Sequence, residues 1–198
     1  MPSSLQQQLE AAGLQVLGPC EQLSQRPGLL ASSPLLQDFS AAEADLLGTA
    51  MLRVQGQPGQ VLIAEGDASD WLMLLLRGTV DVGKRDALLP EAAPPQADGS
   101  TRIAVVREGA VLGEMSMFDG EPRYASCWAL TEVEAAVLSR AGVGDLVQRH
   151  PAVGAKLLVK LTQLLAQRLR NTSNQLVKAL RRAEAAADPV SAPAPGTA

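Results

Sequence analysis

The chain is poor in the residues that carry most enzyme chemistry. It has one histidine, His150, and only one tyrosine, two phenylalanines and two tryptophans in 198 residues. A lone histidine directly before Pro151, with no nucleophile motif beside it, gives no general base and no catalytic triad. The two cysteines, Cys20 and Cys127, lie far apart and lack metal-ligand spacing, so they and His150 read as packing or capping residues. No apolar stretch approaches membrane-spanning length, and no basic start leads into an apolar run with a small-residue cleavage site. A soluble cytoplasmic protein without catalysis of its own, metal or prosthetic group is expected. With aromatics at 3% of residues, Leu, Val and Ala must fill the core, and a hydrophobic content of 46% is ample for one. The acids Glu65 and Asp67 sit in turn chemistry, Gly56-Gln57-Pro58-Gly59 to Gly66-Asp67, and read as solvated.

Charge is unevenly spread. The formal net charge is −4, but residues 1–148 hold nine Lys/Arg against nineteen Asp/Glu, whereas residues 149–182 hold eight basic residues and no acid. Such asymmetry suits an acidic partner, a nucleic acid or a membrane surface, or simply the solvated face of a dimer helix, which is favoured here.

The sequence predicts a short amphipathic helix over 4–13 and then a loose segment with Gly18-Pro19 and Arg26-Pro27-Gly28, the two together forming an arm over 1–32. Ser40, with Glu43 three residues on, starts a helix burying Leu46, Leu47 and Ala50. Glycine-punctuated strands are expected at 61–64, 71–76, 79–82, 103–106, 125–129 and 135–139. Residues 87–100, rich in Pro, Ala and Gly, read as a long mobile insertion. Leu157, Leu161, Leu164, Leu165, Leu169 and Leu176 recur at helical spacing, predicting a long helix over 151–183, with a disordered Pro/Ala-rich tail over 184–198. Apolar positions as far as Leu180 call for a partner helix, and two-fold pairing is the commonest solution.

The densest motif is Val111-Leu112-Gly113-Glu114-Met115-Ser116-Met117-Phe118-Asp119-Gly120-Glu121-Pro122-Arg123-Tyr124-Ala125-Ser126. It sets a helix start and an arginine close enough to grip one small anion. A singly charged cyclic phosphate needs a guanidinium and the unpaired N–H groups of a first helical turn. The neighbouring ribose hydroxyl needs an acceptor such as the Glu114 carboxylate, which also complements the helix dipole. The blander alternative is that Glu114 caps a helix and Arg123 pairs with a surface acid such as Glu121.

The run Gly113-Glu114, Asp119-Gly120-Glu121-Pro122 and Arg123-x-Ala125-Ser126 resembles the phosphate-binding cassette of the cyclic-nucleotide-binding domain. That module is shared by bacterial catabolite activators, cyclic-nucleotide-dependent kinase regulatory subunits and cyclic-nucleotide-gated channels. The resemblance covers about residues 33–180 and implies a mainly β fold with flanking α-helices: a jelly-roll barrel over 33–150, a short cassette helix and a long C-terminal helix. It also implies that Glu114 binds the ribose hydroxyl, that Arg123 binds a phosphate oxygen, and that amides of Gly113, Glu114, Ser116, Tyr124 and Ala125 complete the cradle. Met115, in the same turn, joins the candidate set. Tyr124 departs from the Ser, Thr or Ala of many relatives, and a ring packed beside the pocket argues against a guanine preference. Arg168-Leu169-Arg170-Asn171-Thr172-Ser173 resembles the catabolite activator's dimer helix, which makes Thr172 and Ser173 candidate base readers; local bonding to preceding carbonyls is the alternative.

The resemblance therefore implies a dimeric sensor of a cyclic nucleotide, cyclic AMP before cyclic GMP or cyclic di-GMP. It would pass occupancy to an effector protein and, with no amphipathic helix pair after Arg182, would not bind DNA sequence-specifically. Two other readings stay open: a ligand-independent scaffold with a vestigial pocket, and an adaptor that binds polyanions through its basic helix.

Overall fold

The computed structural model describes residues 4–85 and 100–187. The expected insertion lies outside the described residues except for Ser100, as does the tail beyond residue 187. The chain divides into two compact units, Met1–Leu161 and Thr162–Ala198.

The first unit opens with α1 (Leu5–Ala11), capped by Ser4, whose hydroxyl accepts from Gln7 N–H while the Gln7 side chain accepts from Ser4 N–H. The following segment is not loose. It forms β1 (Gln15–Pro19), a 3₁₀ turn (Leu23–Gln25) and α2 (Pro27–Ser32). Gly18-Pro19 looks like a turn in sequence, but a bulge between Val16 and Gly18 and an edge position accommodate both residues in a strand. Pro27 sits in the first turn of α2, where its missing N–H costs nothing. Burial of Leu9, Leu14, Cys20, Leu23 and Leu29 fastens this arm.

Ser40 and Glu43 form the expected reciprocal cap at the start of α3 (Ala41–Thr49). This helix buries Ala44, Leu47 and Gly48, while Leu46 and Ala50 are only half-buried. Then follow β2 (Leu52–Gly56), β3 (Val61–Ile63), β4 (Trp71–Arg77), β5 (Thr79–Arg85), β6 (Ser100–Arg107), β7 (Val111–Leu112), α4 (Glu114–Asp119), β8 (Ser126–Ala129), β9 (Val133–Ser139), α5 (Arg140–Arg149) and α6 (Pro151–Ala187). The last helix continues four residues past the expected boundary at 183.

The strands pair antiparallel in two sheets of order β1-β2-β9-β4-β7 and β3-β8-β5-β6. Between them lies a core of Trp71, Met73, Leu75, Val80, Cys127 and Val137, among others. Alternation turns Leu72, Leu74 and Leu76 to the opposite face of β4, and their burial means that this face is covered too. That is why β4 is a continuous apolar run rather than an alternating one.

The first turns of α6, within the first unit, are tied to the start of α3. Lys156 Nζ lies 2.7 Å from both Glu43 carboxylate oxygens and donates to Asp38 O at 3.1 Å, and Lys160 pairs with Asp38. From Thr162 onward the helix of the second unit exposes Leu169, Leu176, Val177 and Leu180, with Leu169 at 69%. Among the described residues no helix is long and apolar enough to cross a membrane.

Candidate functional site

The segment between β7 and β8 passes from one sheet to the other. β7 pairs with β4 in the five-stranded sheet, and β8 pairs with β3 and β5 in the four-stranded one. Between them Gly113 turns left-handed at φ 74° and starts α4, and Gly120 ends it at φ 76°. A Cβ on Gly113 would stand 2.5 Å from Arg123 Nη1, so conformation and proximity both select glycine there.

Arg123 is 3% exposed and Glu114 only 1%. Burial of the guanidinium holds Arg123 below the usual arginine range, opposed by the charges of Asp67, Cys127, Asp70 and Glu114. Arg123 does not turn to Glu121. Its Nε donates to Ser69 Oγ at 2.9 Å, Nη2 to Trp71 O at 2.6 Å and Nη1 to Gly113 O, while its carbon lies 4.4 Å from the Trp71 ring centre. Its backbone is held as firmly: Arg123 N–H donates to Asp67 O, and Gly66 N–H donates to Arg123 O.

The structure thus brings Gly113 and Glu114 to the buried Arg123 cation at a helix start, while Ser116 is buried in the same short helix. Met115 and Tyr124 flank them as exposed side chains and Ala125 is half-buried. Thr172 and Ser173 belong to the second unit, where both are exposed on α6.

Sequence reasoning missed several neighbours. Ser69 and Trp71 lie some fifty residues before Arg123 and carry no local sign of partnership, although the Gly66-Asp67 turn marks the bend that presents them. Lys84 donates to Tyr124 O at 2.9 Å, lies 3.9 Å over the Tyr124 ring and pairs with Glu65 at 3.3 Å. The Tyr124 ring, 57% exposed, is therefore a platform for a cation. Arg140 closes the far end of α4, donating from Nε to Met117 O at 2.7 Å and from Nη2 to Ser116 O at 3.0 Å. Both carbonyls lie in the last turns of α4; Ser116 O also accepts from Gly120 N–H, so Arg140 adds a cation at the negative end of the helix. Among the described residues no group of three His, Cys, Asp or Glu side chains is placed to hold a metal.

A buried guanidinium beside the first turn of a helix, with a carboxylate at that helix start, can hold a small phosphate diester and a neighbouring hydroxyl. Comparison with known proteins agrees. Residues 53–150 match the family model described as the cyclic nucleotide-binding domain. The crystal structure of a cyclic nucleotide-binding domain from Methylobacillus flagellatus is 35% identical with a TM-score of 0.69, over 83% of this chain and 88% of that one. A CRP-like cAMP-activated global transcriptional regulator of Mycobacterium tuberculosis is 29% identical over 149 residues, 75% of this chain and 60% of the regulator. A cAMP-dependent protein kinase regulatory subunit of Yarrowia lipolytica is 27% identical over 130 residues, 66% of this chain and 32% of the subunit. The chain thus spans 60% of the first of these two relatives and about a third of the second, less than two thirds of either. On the strength of the family match and the Methylobacillus domain, this chain belongs to the cyclic nucleotide-binding domain family.

Proposed function

We propose that the chain is a regulatory sensor of cyclic AMP that passes ligand occupancy to a protein partner, with no catalysis of its own. The observation that carries this reading is the Arg123 cradle: a guanidinium 3% exposed, bonded to the Gly113 carbonyl at the start of α4, with Glu114 buried in the same turn. In this reading Arg123 and the amides of Gly113, Glu114, Ser116, Tyr124 and Ala125 hold the phosphate, and Glu114 accepts from the ribose hydroxyl. Met115 borders the ligand from the same turn. Two relatives carry cyclic AMP in their names, which favours that ligand over cyclic GMP and cyclic di-GMP.

The exposed Leu169 and Leu176, seven residues apart with Thr172 between them, support pairing with the same helix of a second copy, with Thr172 and Ser173 reading the base. Occupancy shifts a partner-binding state only if the two states bind the nucleotide unequally, so the helix that touches the base is the natural output surface. The protein works in the cytoplasm, where cyclic nucleotides are made and met. Calorimetry of the chain against cyclic AMP, cyclic GMP and cyclic di-GMP tests this. One site per chain with cyclic AMP tightest is expected, and no heat and no thermal shift with any of the three at millimolar concentration rejects it. Duplex DNA is expected to bind weakly and to be released as salt rises; sequence-specific retention at physiological salt contradicts a protein-only output.

A further inference from the structure

Beside the Arg123 cradle the first unit carries a hollow of about 1000 Å³, which shares Ser69, Trp71 and Ser116 with it but is not lined by Glu114, Arg123, Tyr124 or Ala125. Helix α1 contributes Gln7, Gln8, Ala11 and Ala12 to its lining. Strand β3 and the residue after it contribute Val61, Leu62, Ile63 and Ala64 without a gap. A strand presents alternate residues to whatever lies on its face. The register of β3 shifts between Val61 and Ile63, which breaks that alternation, so its consecutive residues and Ala64 just beyond it all border the hollow. β3 is the outer strand of the four-stranded sheet, and an outer edge carries backbone N–H and C=O groups ready to pair with an added strand.

Charge selects the occupant. Asp67, Asp70 and Glu121 line the hollow beside one lining cation, Arg140, whose guanidinium is already engaged by the carbonyls of Ser116 and Met117. Asp67 and Asp70 also act on the buried Arg123, which leaves three acids to two cations, both engaged by carbonyls, and the balance acidic. We propose that this hollow docks an extended, basic segment of a partner protein, added as a strand to β3 with its Lys or Arg side chains against Asp67, Asp70 and Glu121.

The same groups lead to the cassette. Ser69 lines the hollow and its hydroxyl accepts from Arg123 Nε; Asp67 lines it and its carbonyl accepts from Arg123 N–H; Ser116 lines it from α4. A segment docked there and a nucleotide held by Arg123 bear on shared residues, so each changes the affinity of the other by the same factor. That coupling rests on the cyclic-nucleotide reading; the docking itself does not.

The test uses two fluorescein-labelled hexapeptides on the full chain at physiological salt, Lys-Val-Lys-Val-Lys-Val and Glu-Val-Glu-Val-Glu-Val, read by anisotropy. The basic peptide is expected to bind saturably and at least tenfold tighter than its acidic twin. Ala11→Trp, a substitution on an exposed face of α1, puts an indole into the hollow beside β3 and should weaken the basic peptide at least tenfold while cyclic AMP affinity stays unchanged. Glu121→Lys should weaken it about two- to fivefold, the range for an exposed ion pair. Equal affinity for the two peptides, or a basic peptide indifferent to both substitutions, overturns the docking proposal. Saturating cyclic AMP should shift the peptide Kd by the same factor as saturating peptide shifts the cyclic AMP Kd, and independent affinities overturn the coupling. Selective peptide binding without any cyclic AMP binding rejects the Arg123 cradle and leaves the docking groove standing, whereas the reverse result rejects the groove alone.

Discussion

Arg123 spends all three guanidinium nitrogens on Ser69, Gly113 and Trp71, so the side chain proposed to hold the phosphate is also part of the packing of the barrel. Arg123→Ala should weaken cyclic AMP by about 2–5 kcal/mol, the cost of leaving a bound anion without its charged partner. The same variant should melt earlier, and calorimetry beside thermal denaturation checks both effects. Unchanged affinity would remove Arg123 from the site. Lysine should not rescue it, because a point charge cannot reach three acceptors as a planar fork does. Gly113→Ala acts on the same group from the backbone. At φ 74° a side chain costs about 1–3 kcal/mol in strain, and its Cβ would press on Arg123 Nη1. For a domain of this size that corresponds to a melting point lower by roughly 2–4 °C per kcal/mol. A melting point equal to wild type would show that the turn can relax without glycine.

Among the elements, the join between α3 and α6 has a definite pH response. Hydrogen bonds from the Lys156 ammonium and from the Ser40 backbone hold the Glu43 carboxyl down to about 2, from an ordinary 4.5. A carboxyl whose folded value lies below its unfolded one stabilises the fold while ionised. Its contribution is therefore whole above about 4.5 and lost as pH falls toward 2. Glu43→Gln keeps a side chain that can still cap Ser40 but removes the charge facing Lys156. Urea midpoints of the two proteins should differ at pH 6, and the gap should narrow below about pH 4.5 and close only toward pH 2; a gap that stays constant over that range would mean that Lys156 does not act through charge. This helix start is also where the sequence was most readable, since Ser40 and Glu43 are three residues apart and their bonds are local. The cassette was readable for the same reason, as one unbroken run from Val111 to Ser126. What escaped was non-local or atypical: β7 has only two residues, β1 is disguised by Gly18-Pro19, and β2, although Leu52-Arg53-Val54-Gln55 alternates, is only five residues long and ends on Gly56 before a Pro-Gly turn. The partners of Arg123 lie 52 and 54 residues away, where no spacing rule reaches them.

At the scale of the whole molecule, the proposed helix pairing makes dimer geometry and nucleotide affinity one linked equilibrium. Thr172→Val combined with Ser173→Ala should preserve the dimer yet weaken cyclic AMP by about 1–3 kcal/mol, as expected for one or two buried hydrogen bonds lost. Sedimentation beside calorimetry separates the two effects, and an intact dimer with undiminished affinity would remove the helix from base recognition. Leu169→Glu with Leu176→Glu should give monomers in the same sedimentation experiment, and an unchanged mass would place the dimer contact elsewhere. The threefold anchoring of Arg123 also bears on how such proteins change by descent. In a lineage that no longer met the nucleotide, substitutions at exposed Tyr124 would drift freely, while those at Arg123 would still be purged for unfolding the barrel. The arginine outlives the signal it once received, so a descendant that keeps Arg123 and scatters its choice at position 124 has retained a fold and not a sense.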